Sequence, residues 1–529
     1  MAKETNYFRS PEPKPADYGE YAVVMKDIVK QFPSVLANDH VSLYVKKGEI
    51  HAVVGENGAG KSTLMNQLYG MHIPTSGDIY INGKRVEIKD PNDAIANSIG
   101  MVHQHFMLVP PMTVTENMII GVEPLNKLRV LDLKRAKRDI EELSSRYSLF
   151  IDPDAVIEDL SVGMQQRVEI LKALYRGAEI LILDEPSAVL TPQEVSELFE
   201  VMRNLKSQGK TIIFITHKLH EVMEITDNVT VMQRGKVTGR VPTTSTNTRE
   251  LARMMVGRDV VLRIEKPPAK VGDVEFEVRD LVVKDNRGLV AVNKISFSVR
   301  KGEILGIAGV AGNGQTELGE AIAGLRKPES GTIILGGKDV TSYTPKKLRE
   351  AGFSHIPEDR LKHGLVSQYP VYFNMILGMH TKKPFAEGAF LNYNEIKKYS
   401  SNLIKEFDVR PPQNDILAGN LSGGNQQKVI LAREFSENPK FMLVSQPTRG
   451  LDVGAIEFIH KRIIELRDKG VSVLLISMEL EEIFSLSDRI AVIYEGSIMG
   501  VVKPNEVTFE DVGLMMAGTR WNELKETRK

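Results

Sequence analysis

The chain has 529 residues, carries a net charge of −1 and contains no cysteine. It is too long for one hydrophobic core, and its 42% of hydrophobic residues can supply several. The balanced charge argues against a nucleic-acid binder that relies on broad positive charge, and the lack of cysteine excludes disulfides and thiolate metal sites. No apolar run reaches the ~18 residues of a membrane-spanning helix, and residues 1–6 lack the apolar core of a signal peptide, so we expect a soluble chain.

The first distinctive element is a glycine-rich loop between a predicted strand and a predicted helix. Residues 1–20 are rich in proline and polar groups and are expected to form a flexible tail. An apolar run from Ile50 to Val54 then predicts a strand, and a helical pattern begins at Ser62. The segment between them fits G-x-x-x-x-G-K-[ST], in which Lys61 reaches the β- and γ-phosphates of a nucleotide and the Ser62 hydroxyl binds Mg²⁺. The predicted ATP-binding loop comprises Gly55, Glu56, Asn57, Gly58, Ala59, Gly60, Lys61, Ser62 and Thr63.

An acidic pair follows a second apolar run, Ile180 to Leu183. Such a run is typical of a buried parallel strand, and open α/β sheets bind ligands at the carboxyl ends of their strands. We therefore expect Asp184 to hold Mg²⁺, directly or through water, and Glu185 to act as the general base on the attacking water. The alternative is an ordinary acidic turn, which the phosphate loop upstream disfavours.

The sequence contains one unit twice. Residues 46–60 read KKGEIHAVVGENGAG and residues 300–314 read RKGEILGIAGVAGNG. Further along, LSVGMQQRVEILKAL begins at Leu160 and LSGGNQQKVILAREF begins at Leu421. The motifs keep their order and spacing, so the chain consists of two homologous halves. Each half alternates apolar strand runs with helical stretches, which predicts an α/β unit with a mixed or largely parallel sheet.

These repeats predict the domain boundaries. We expect a first domain at residues 21–257, a second at 274–518, and a short, stiff, proline-containing linker at 258–273. Residues 519–529 would then form a C-terminal tail. The segment from about Leu131 to Asp159 has helical periodicity and predicts a helical subdomain in the first domain.

The phosphate loop, the acidic pair and the LSGG motif together resemble the ATPase subunits of ABC transporters, over essentially the whole chain. The resemblance implies two tandem ABC-type P-loop NTPase domains that pair head to tail. Each ATP then lies between the phosphate loop of one domain and the LSGG-type signature of the other. It also implies that Gln104 senses Mg²⁺ and contacts a membrane subunit, that His217 contacts the γ-phosphate, and that Phe32 stacks on adenine, unless Phe32 is a core residue. The implied contacts from the second domain are Ser422, Gly423, Gly424, Asn425 and Asp452.

The second half departs from the family pattern at nearly every chemical position. It retains the glycines of the loop but loses the lysine, the magnesium carboxylate, the base and the histidine. The degenerate positions are Gly309, Gly314, Gln315 in place of Lys61, Thr316, Glu358 in place of Gln104, Ser445 and Gln446 in place of the acidic pair, and Met478 in place of His217.

The signature motifs show the opposite bias. The second half keeps Ser422-Gly423-Gly424, whereas the first half has Val162 where a glycine is expected. Head-to-tail pairing explains both facts, because all the losses then collect in one composite site, which Ser161 and Gly163 would face. We expect the other site, made of the first phosphate loop and the second signature, to hydrolyse ATP with Mg²⁺.

Two fused units with a degenerate second one resemble the ATPase subunits of bacterial simple-sugar importers. The strings LSVGMQQRVEI and QPTRGLD favour a relative, the nucleoside importers that use a lipoprotein receptor. The resemblance implies two permease subunits and an extracytoplasmic solute-binding lipoprotein as partners, a peripheral position on the cytoplasmic face of the membrane, and no nucleic acid. Two other classes remain as alternatives: soluble tandem ABC ATPases that act on ribosomes or DNA, and catalytically dead regulatory scaffolds.

Overall fold

The structure is a computed structural model that describes residues 7–10, 12–33, 35–56, 58–103, 106–187, 190–257, 266–310, 312–388, 390–451 and 453–527. It divides into two compact units, residues 1–260 and 261–529. Three of the predicted site residues, Asn57, Gln104 and Asp452, lie outside the described residues. Within these ranges no helix is long and apolar enough to cross a membrane.

The first unit contains ten strands and eight α-helices in its described part. The strands are β1 (Tyr21–Phe32), β2 (Val35–Lys46), β3 (Ile50–Gly55), β4 (Ser76–Ile81), β5 (Lys84–Val86), β6 (Ile99–Val102), β7 (Ile180–Asp184), β8 (Thr211–Thr216), β9 (Asn228–Gln233) and β10 (Lys236–Pro242). The helices are α1 (Lys61–Leu68), α2 (Pro91–Ala96), α3 (Val114–Ile119), α4 (Leu133–Tyr147), α5 (Val162–Tyr175), α6 (Pro192–Ser207), α7 (Leu219–Ile225) and α8 (Thr248–Val256).

Two sheets form the centre of this unit. An antiparallel sheet has the order β2-β1-β4-β5, and a larger sheet has the order β10-β9-β3-β8-β7-β6. In the larger sheet β9, β3, β8, β7 and β6 pair in parallel, and only β10 is antiparallel. Strands β3, β7 and β8 are buried along their whole length, as expected for apolar runs between covering layers. Their carboxyl ends therefore meet at one edge of the sheet.

A helical subdomain packs beside the larger sheet. Helix α4 lies within the segment for which the sequence predicts helical periodicity, and its buried side chains include Ile140 and Tyr147. These residues share a core with Val114 and Met118 of α3 and Val168 of α5. The subdomain therefore carries the first signature motif at the start of α5.

The second unit repeats this arrangement. Its strands are β11 (Val274–Lys284), β12 (Val290–Arg300), β13 (Ile304–Ala308), β14 (Ser330–Leu335), β15 (Lys338–Asp339), β16 (Phe353–Ile356), β17 (Ala386–Glu387), β18 (Phe390–Leu391), β19 (Phe441–Ser445), β20 (Ser472–Ser477), β21 (Arg489–Tyr494) and β22 (Ser497–Val502). Its helices are α9 (Gln315–Ile322), α10 (Pro345–Glu350), α11 (Val371–Asn374), α12 (Tyr393–Glu406), α13 (Gly423–Ser436), α14 (Val453–Asp468), α15 (Leu480–Leu486), α16 (Phe509–Met516) and α17 (Trp521–Thr527).

The sheets of the second unit have the same topology as those of the first. The orders are β12-β11-β14-β15 and β16-β19-β20-β13-β21-β22, with a small added hairpin of β17 and β18. Strand β13 stands where β3 does, and β19 and β20 correspond to β7 and β8. A short π-helical turn, Arg360–Gly364, follows β16 and faces the start of α13.

The described part of residues 1–20, for which the sequence predicts a flexible tail, packs on the first unit. Residues 15–20 form a 3₁₀ helix, and Tyr18 is only 5% exposed because its ring packs edge-on against Tyr80 at 4.9 Å. The backbone of Arg9 donates to the carbonyl of Arg240 at 2.8 Å. Aromatic burial and strand-like hydrogen bonds hold this segment on the first unit. The proline and polar content of the segment, on which the prediction rests, does not reveal these contacts.

The predicted linker and C-terminal tail are also more ordered than the sequence suggests. Arg467 Nη2 donates to the carbonyl of Pro267 at 2.8 Å, and Gly272 N donates to Lys301 O at 2.9 Å, so residues 266–273 belong to the second unit. Near the other end, Trp521 of α17 is 8% exposed and packs in the second core against Gly500. Burial of one large aromatic side chain accounts for the order of this last helix.

Candidate functional site

The phosphate loop of the first unit forms an open cradle between β3 and α1. Gly60 has a φ of 96°, and a Cβ atom there would lie 2.4 Å from the carbonyl oxygen of Ala37, so only glycine fits. Gly58 has a φ of 80°, and no atom of the described residues lies within 4 Å of its Cβ position, so that side of the loop is open among them. Backbone N–H groups in such a loop bind phosphate oxygens.

Lys61 lies folded into this cradle. Its Nζ donates to the carbonyls of Gly55 at 2.8 Å and Glu56 at 3.1 Å, and the residue is only 5% exposed. Burial lowers the pKa of Lys61, while the carboxylates of Glu185, Asp184 and Glu56 act in the opposite direction. A buried ammonium group held on backbone carbonyls is well placed to neutralise the phosphates of a nucleotide.

Asp184 lies near Ser62, the second residue of α1. The side chain of Ser62 lies near its carboxylate, and Asp184 is 7% exposed. Burial raises the pKa of Asp184, and the nearby charge of Glu185 adds to this, while the Ser62 hydroxyl and the charge of Lys61 lower it. A neighbouring hydroxyl and carboxylate match the protein share of a Mg²⁺ site that phosphates and water complete.

Glu185 and His217, two predicted site residues, are in contact. Glu185 Oε1 and His217 Nδ1 are 3.0 Å apart, at the ends of the neighbouring strands β7 and β8. Burial raises the pKa of Glu185, but the hydrogen bond from His217 and the charges of His217, Lys61 and Lys218 outweigh it, so the pKa lies below its usual value. Glu185 also has a left-handed φ of 48°, a strained conformation that is typical of functional sites.

Two further predicted site residues of the first unit, Thr63 and Phe32, lie in α1 and at the end of β1. Thr63 follows Ser62 in the first turn of α1, and Phe32 lies at the end of β1, where its half-buried ring meets His72 edge-on at 5.5 Å. Among the described residues, no group of three or more His, Asp or Glu side chains could hold a metal ion by itself.

The second unit keeps the glycines of the phosphate loop, but a glutamine replaces the lysine. Gly312 and Gly314 have φ values of 89° and 95°, and Gln315 Nε2 donates to the carbonyl of Val310 at 3.0 Å, much as Lys61 bonds its own loop. A Cβ atom at Gly309 would lie 2.6 Å from Ile493 Cγ2 and 3.0 Å from the carbonyl oxygen of Ile493, which explains the glycine that begins the loop. A neutral amide now stands where the first unit has an ammonium group.

The acidic pair is replaced by neutral groups at the same backbone positions. Ser445 ends β19, and Gln446 has a φ of 47°, close to that of Glu185. Gln446 Oε1 accepts from the backbone N–H of Met478 at 3.4 Å, where the first unit has a carboxylate facing a histidine. The second unit therefore has neither a base nor its orienting partner among the described residues of this site.

The two signature serines differ in their hydrogen bonds. Ser161 Oγ accepts from the backbone N–H of Met164 at 3.3 Å and so caps its own helix, α5. Ser422 makes no such cap within the described residues; its Oγ accepts from Asn425 Nδ2 at 2.9 Å, and Asn425 Oδ1 accepts from Arg410 N at 2.8 Å. The first turn of α13 thus keeps its N–H groups available to an anion.

Opposite charges lie against the two signature helices. A Cβ atom on Gly163 of α5 would lie 2.6 Å from Glu194 Oε1, whereas one on Gly423 of α13 would lie 3.3 Å from Arg360 Nη2. Arg360 Nη1 also donates to the carbonyl of Arg449 at 3.0 Å, which fixes the guanidinium. Gly424 completes the first turn of α13. The start of α13 is therefore electropositive, while a carboxylate lies at the start of α5.

The sequence reasoning missed these two charged residues. Neither residue belongs to a motif. When the two halves are aligned at their phosphate loops, Arg360 pairs with Phe106. When they are aligned at their signature motifs, Glu194 pairs with Ala455. A charge gained at one position of a repeat is a signal that such an alignment can reveal.

Comparison with known proteins agrees with this geometry. The profile of the ABC transporter family matches residues 38–188 and again residues 292–449. The chain belongs to the ABC transporter ATP-binding proteins. The expected fold, two tandem ABC-type P-loop NTPase domains, is thereby confirmed, and the chain is an ATPase that binds ATP. Each unit is hereafter called a cassette, cassette 1 for residues 1–260 and cassette 2 for residues 261–529.

Three proteins that are similar to this chain are named as import ATP-binding proteins. The guanosine import ATP-binding protein NupO of Bacillus subtilis is 54% identical over 95% of this chain and 99% of its own length. The nucleoside import ATP-binding protein NupA of Lactococcus lactis is 52% identical over the same shares. The glucose import ATP-binding protein TsgD13 of Haloferax volcanii is 44% identical over 93% of this chain and 95% of its own length.

Proposed function

We propose that this ABC ATPase energises the uptake of nucleosides. The observation that carries the proposal is the full-length identity of 52–54% to NupA and NupO, against 44% to the glucose import protein TsgD13. The chain itself supplies energy and not solute recognition, so the choice of solute rests on these relatives.

The proposal includes the partners and the location. Two integral-membrane permeases and an extracytoplasmic solute-binding lipoprotein would complete the importer, with the chain on the cytoplasmic face of the membrane. The names of the relatives, which are import ATP-binding proteins, support this assembly. Nucleic acid has no role in it, in keeping with the net charge of −1.

One composite site would hydrolyse ATP. We place the nucleotide between the phosphate loop of cassette 1 and the signature helix α13 of cassette 2, with the two cassettes paired head to tail. The contrast between the two signature helices supports this choice. Arg360 and uncapped N–H groups lie at the start of α13, whereas Glu194 and the cap from Ser161 lie at the start of α5. A γ-phosphate is attracted to the first and repelled by the second.

The side chains of cassette 1 divide the chemical work. Lys61 and the loop N–H groups hold the phosphates, and Glu185 orients the attacking water and accepts its proton. His217 holds the Glu185 carboxylate in place and keeps it ionised. Mg²⁺, bound by Ser62, Asp184 and Gln104 with the phosphates, would neutralise charge that develops in the transition state. Ser422, Gly423, Gly424, Asn425 and Asp452 would complete the site from cassette 2.

The solute can be tested by uptake in cells. A deletion of the gene, complemented with either the wild-type chain or Glu185→Gln, should restore uptake of radiolabelled guanosine and other nucleosides only with the wild type. Excess unlabelled nucleosides should compete, and ribose, galactose and glucose should not. Uptake that sugars inhibit and nucleosides do not would replace this proposal with a simple-sugar importer.

A further inference from the structure

Cassette 1 carries a short hairpin between α3 and α4 that exposes apolar side chains. Leu125 and Leu131 pair in an antiparallel bridge, and Asn126 N donates to Val130 O at 2.8 Å. Leu128, at the tip, is 83% exposed. Single exposed apolar residues are normal on a protein surface, but a cluster of them indicates a contact surface. The exposed large apolar residues of this cluster are Val122, Leu125, Leu128, Val130, Leu131 and Leu133.

Hydrogen bonds to one side chain hold the tip of this hairpin in shape. Asn126 Oδ1 accepts from the backbone N–H groups of Leu128 at 2.9 Å and Val130 at 3.0 Å. Arg129 N donates to Asn126 O at 2.9 Å, and the left-handed φ of 59° at Arg129 completes the turn. An ordered turn therefore displays Leu128, so a contact with a partner costs little conformational entropy.

Basic side chains surround the apolar tip. Residues 123–138 contain six basic and two acidic residues, in a chain whose net charge is −1. Lys127, Arg129 and Lys134 are exposed, and none of the three has a carboxylate partner in the described part of the chain. The hairpin therefore presents exposed leucine and valine side chains together with positive charges that no acidic side chain neutralises.

Cassette 2 has a similar surface at the corresponding place. The hairpin of β17 and β18 precedes the long helix α12, as the hairpin of cassette 1 precedes α4. Phe390 of β18 is 81% exposed, and Tyr393, the first residue of α12, is exposed as well. Lys383 and Lys398, close to them in sequence, are also exposed. The two hairpins differ in sequence, but both combine a protruding apolar side chain with basic residues.

This combination fits a lipid surface better than a protein partner. Lysine is depleted from the cores of protein–protein interfaces. Basic residues beside leucine or phenylalanine are typical of segments that lie in the headgroup region of an anionic membrane, because the apolar side chains enter the lipid while the charges stay at its surface. A protruding tip also suits insertion into a lipid layer, whereas a protein partner is more often received by a groove.

We propose that the hairpin of cassette 1, residues 121–133 with the basic residues around it, binds the anionic phospholipid surface of the membrane, and that Leu128 inserts among the headgroups. The inference rests on the proposed function, which places the chain on the cytoplasmic face of the membrane. The lipid contact adds to the docking on the permeases. It gives a role to exposed apolar side chains that the ATP site does not use.

Flotation of the purified full-length chain with vesicles tests the proposal. One set of vesicles contains phosphatidylglycerol and phosphatidylcholine, and the other contains phosphatidylcholine alone. We expect binding to the first set, weakened by salt, and little to the second. Lys127→Gln combined with Arg129→Gln should weaken binding roughly 25-fold, because each basic residue near an anionic surface contributes about fivefold. Leu128→Ser should weaken it roughly 10-fold through lost apolar burial.

The control removes the same charge from another exposed surface of cassette 1. Lys26→Gln combined with Lys84→Gln, in β1 and β5, should leave vesicle binding unchanged. Equal binding to the two sets of vesicles, or equal losses in the hairpin pair and the control pair, would overturn the proposal. Unchanged vesicle binding in the hairpin variants, with weaker co-purification with the permeases, would assign the hairpin to a protein contact and would also overturn it. Nucleoside uptake by the wild-type chain tests the proposed function separately, and that function would stand if vesicle binding failed.

Discussion

Arg360 lies against Gly423 at the start of the signature helix of cassette 2, with Nη2 3.3 Å from the Cβ position of that glycine. Burial and the neighbouring Arg449 lower the pKa of Arg360, but an arginine stays charged at neutral pH. The guanidinium therefore adds positive charge where the γ-phosphate is proposed to dock. At the equivalent place in cassette 1, Glu194 contributes a negative charge.

Arg360→Gln should lower kcat of the assembled transporter more than it raises KM for ATP, because we propose that the guanidinium acts on the phosphates only in the head-to-tail pair. A hydrogen bond to a charged group is worth about 1.5–3 kcal/mol, which corresponds to roughly a 10–100-fold loss. Steady-state ATPase across ATP concentrations measures both constants. Lys362→Gln, in the same π-helical turn, is the matched control and should behave like the wild type. Equal effects of the two variants would contradict the assignment of Arg360 to the ATP site.

Lys61 and its counterpart Gln315 test which loop carries the chemistry. Lys61→Ala should lower ATP hydrolysis by about 10²–10³-fold, the usual cost of losing a charged group that stabilises the transition state. Gln315→Ala should retain most of the activity, because a neutral amide contributes little to phosphate charge. Both variants are assayed for ATPase and nucleoside uptake in the same membranes. Similar losses would mean that cassette 2 also takes part in hydrolysis.

Glu185→Gln should abolish hydrolysis while ATP stays bound. The amide keeps the shape of the side chain but cannot accept a proton, and loss of a positioned base typically lowers the rate ~10²–10⁴-fold. Bound ATP and released phosphate are measured on the same preparation. Hydrolysis above about a tenth of the wild-type rate would contradict the base assignment, since it lies well outside that range.

The acid limb of the pH–rate profile should depend on His217. Burial alone raises the pKa of Glu185, and the bond and charge of His217 are the first influences that bring it below its usual value. A lowered pKa keeps the base ionised as the pH falls, so activity is lost only below the ordinary range of a glutamate. In His217→Ala both influences are lost and the pKa of Glu185 rises, so the acid limb of residual kcat/KM should move to higher pH. An unmoved limb would show that His217 does not control this ionisation.

The sequence predicts the constellation in cassette 1 because its parts follow adjacent parallel strands. Gly55 ends β3, Asp184 ends β7 and Thr216 ends β8, so their neighbours meet at one edge whatever the remaining packing. Side-chain contacts across loops carry no such periodic signal. The bonds of Glu358 to Thr316 and Arg449 are therefore found only in the structure.

The ends of the chain were harder to predict for a related reason. Tyr18 and Trp521 each order a short segment by inserting one aromatic side chain into a core to which distant strands also contribute. Local composition describes the segment itself, but it does not describe the part of the core on which the segment packs. Proline and polar residues next to Tyr18 therefore suggest a loose tail where tertiary packing produces an ordered one.

The most direct test of the composite site compares two arginine substitutions in ATPase assays of the assembled transporter. Ser422→Arg places a bulky cation at the uncapped start of α13 and should lower hydrolysis about a hundredfold or more, in the range for lost transition-state contacts. Ser161→Arg, at the start of α5, should retain most of the activity, because we propose that this signature serves the site without a base. A loss in Ser161→Arg equal to that in Ser422→Arg would contradict the assignment of hydrolysis to the loop of cassette 1 and the signature of cassette 2.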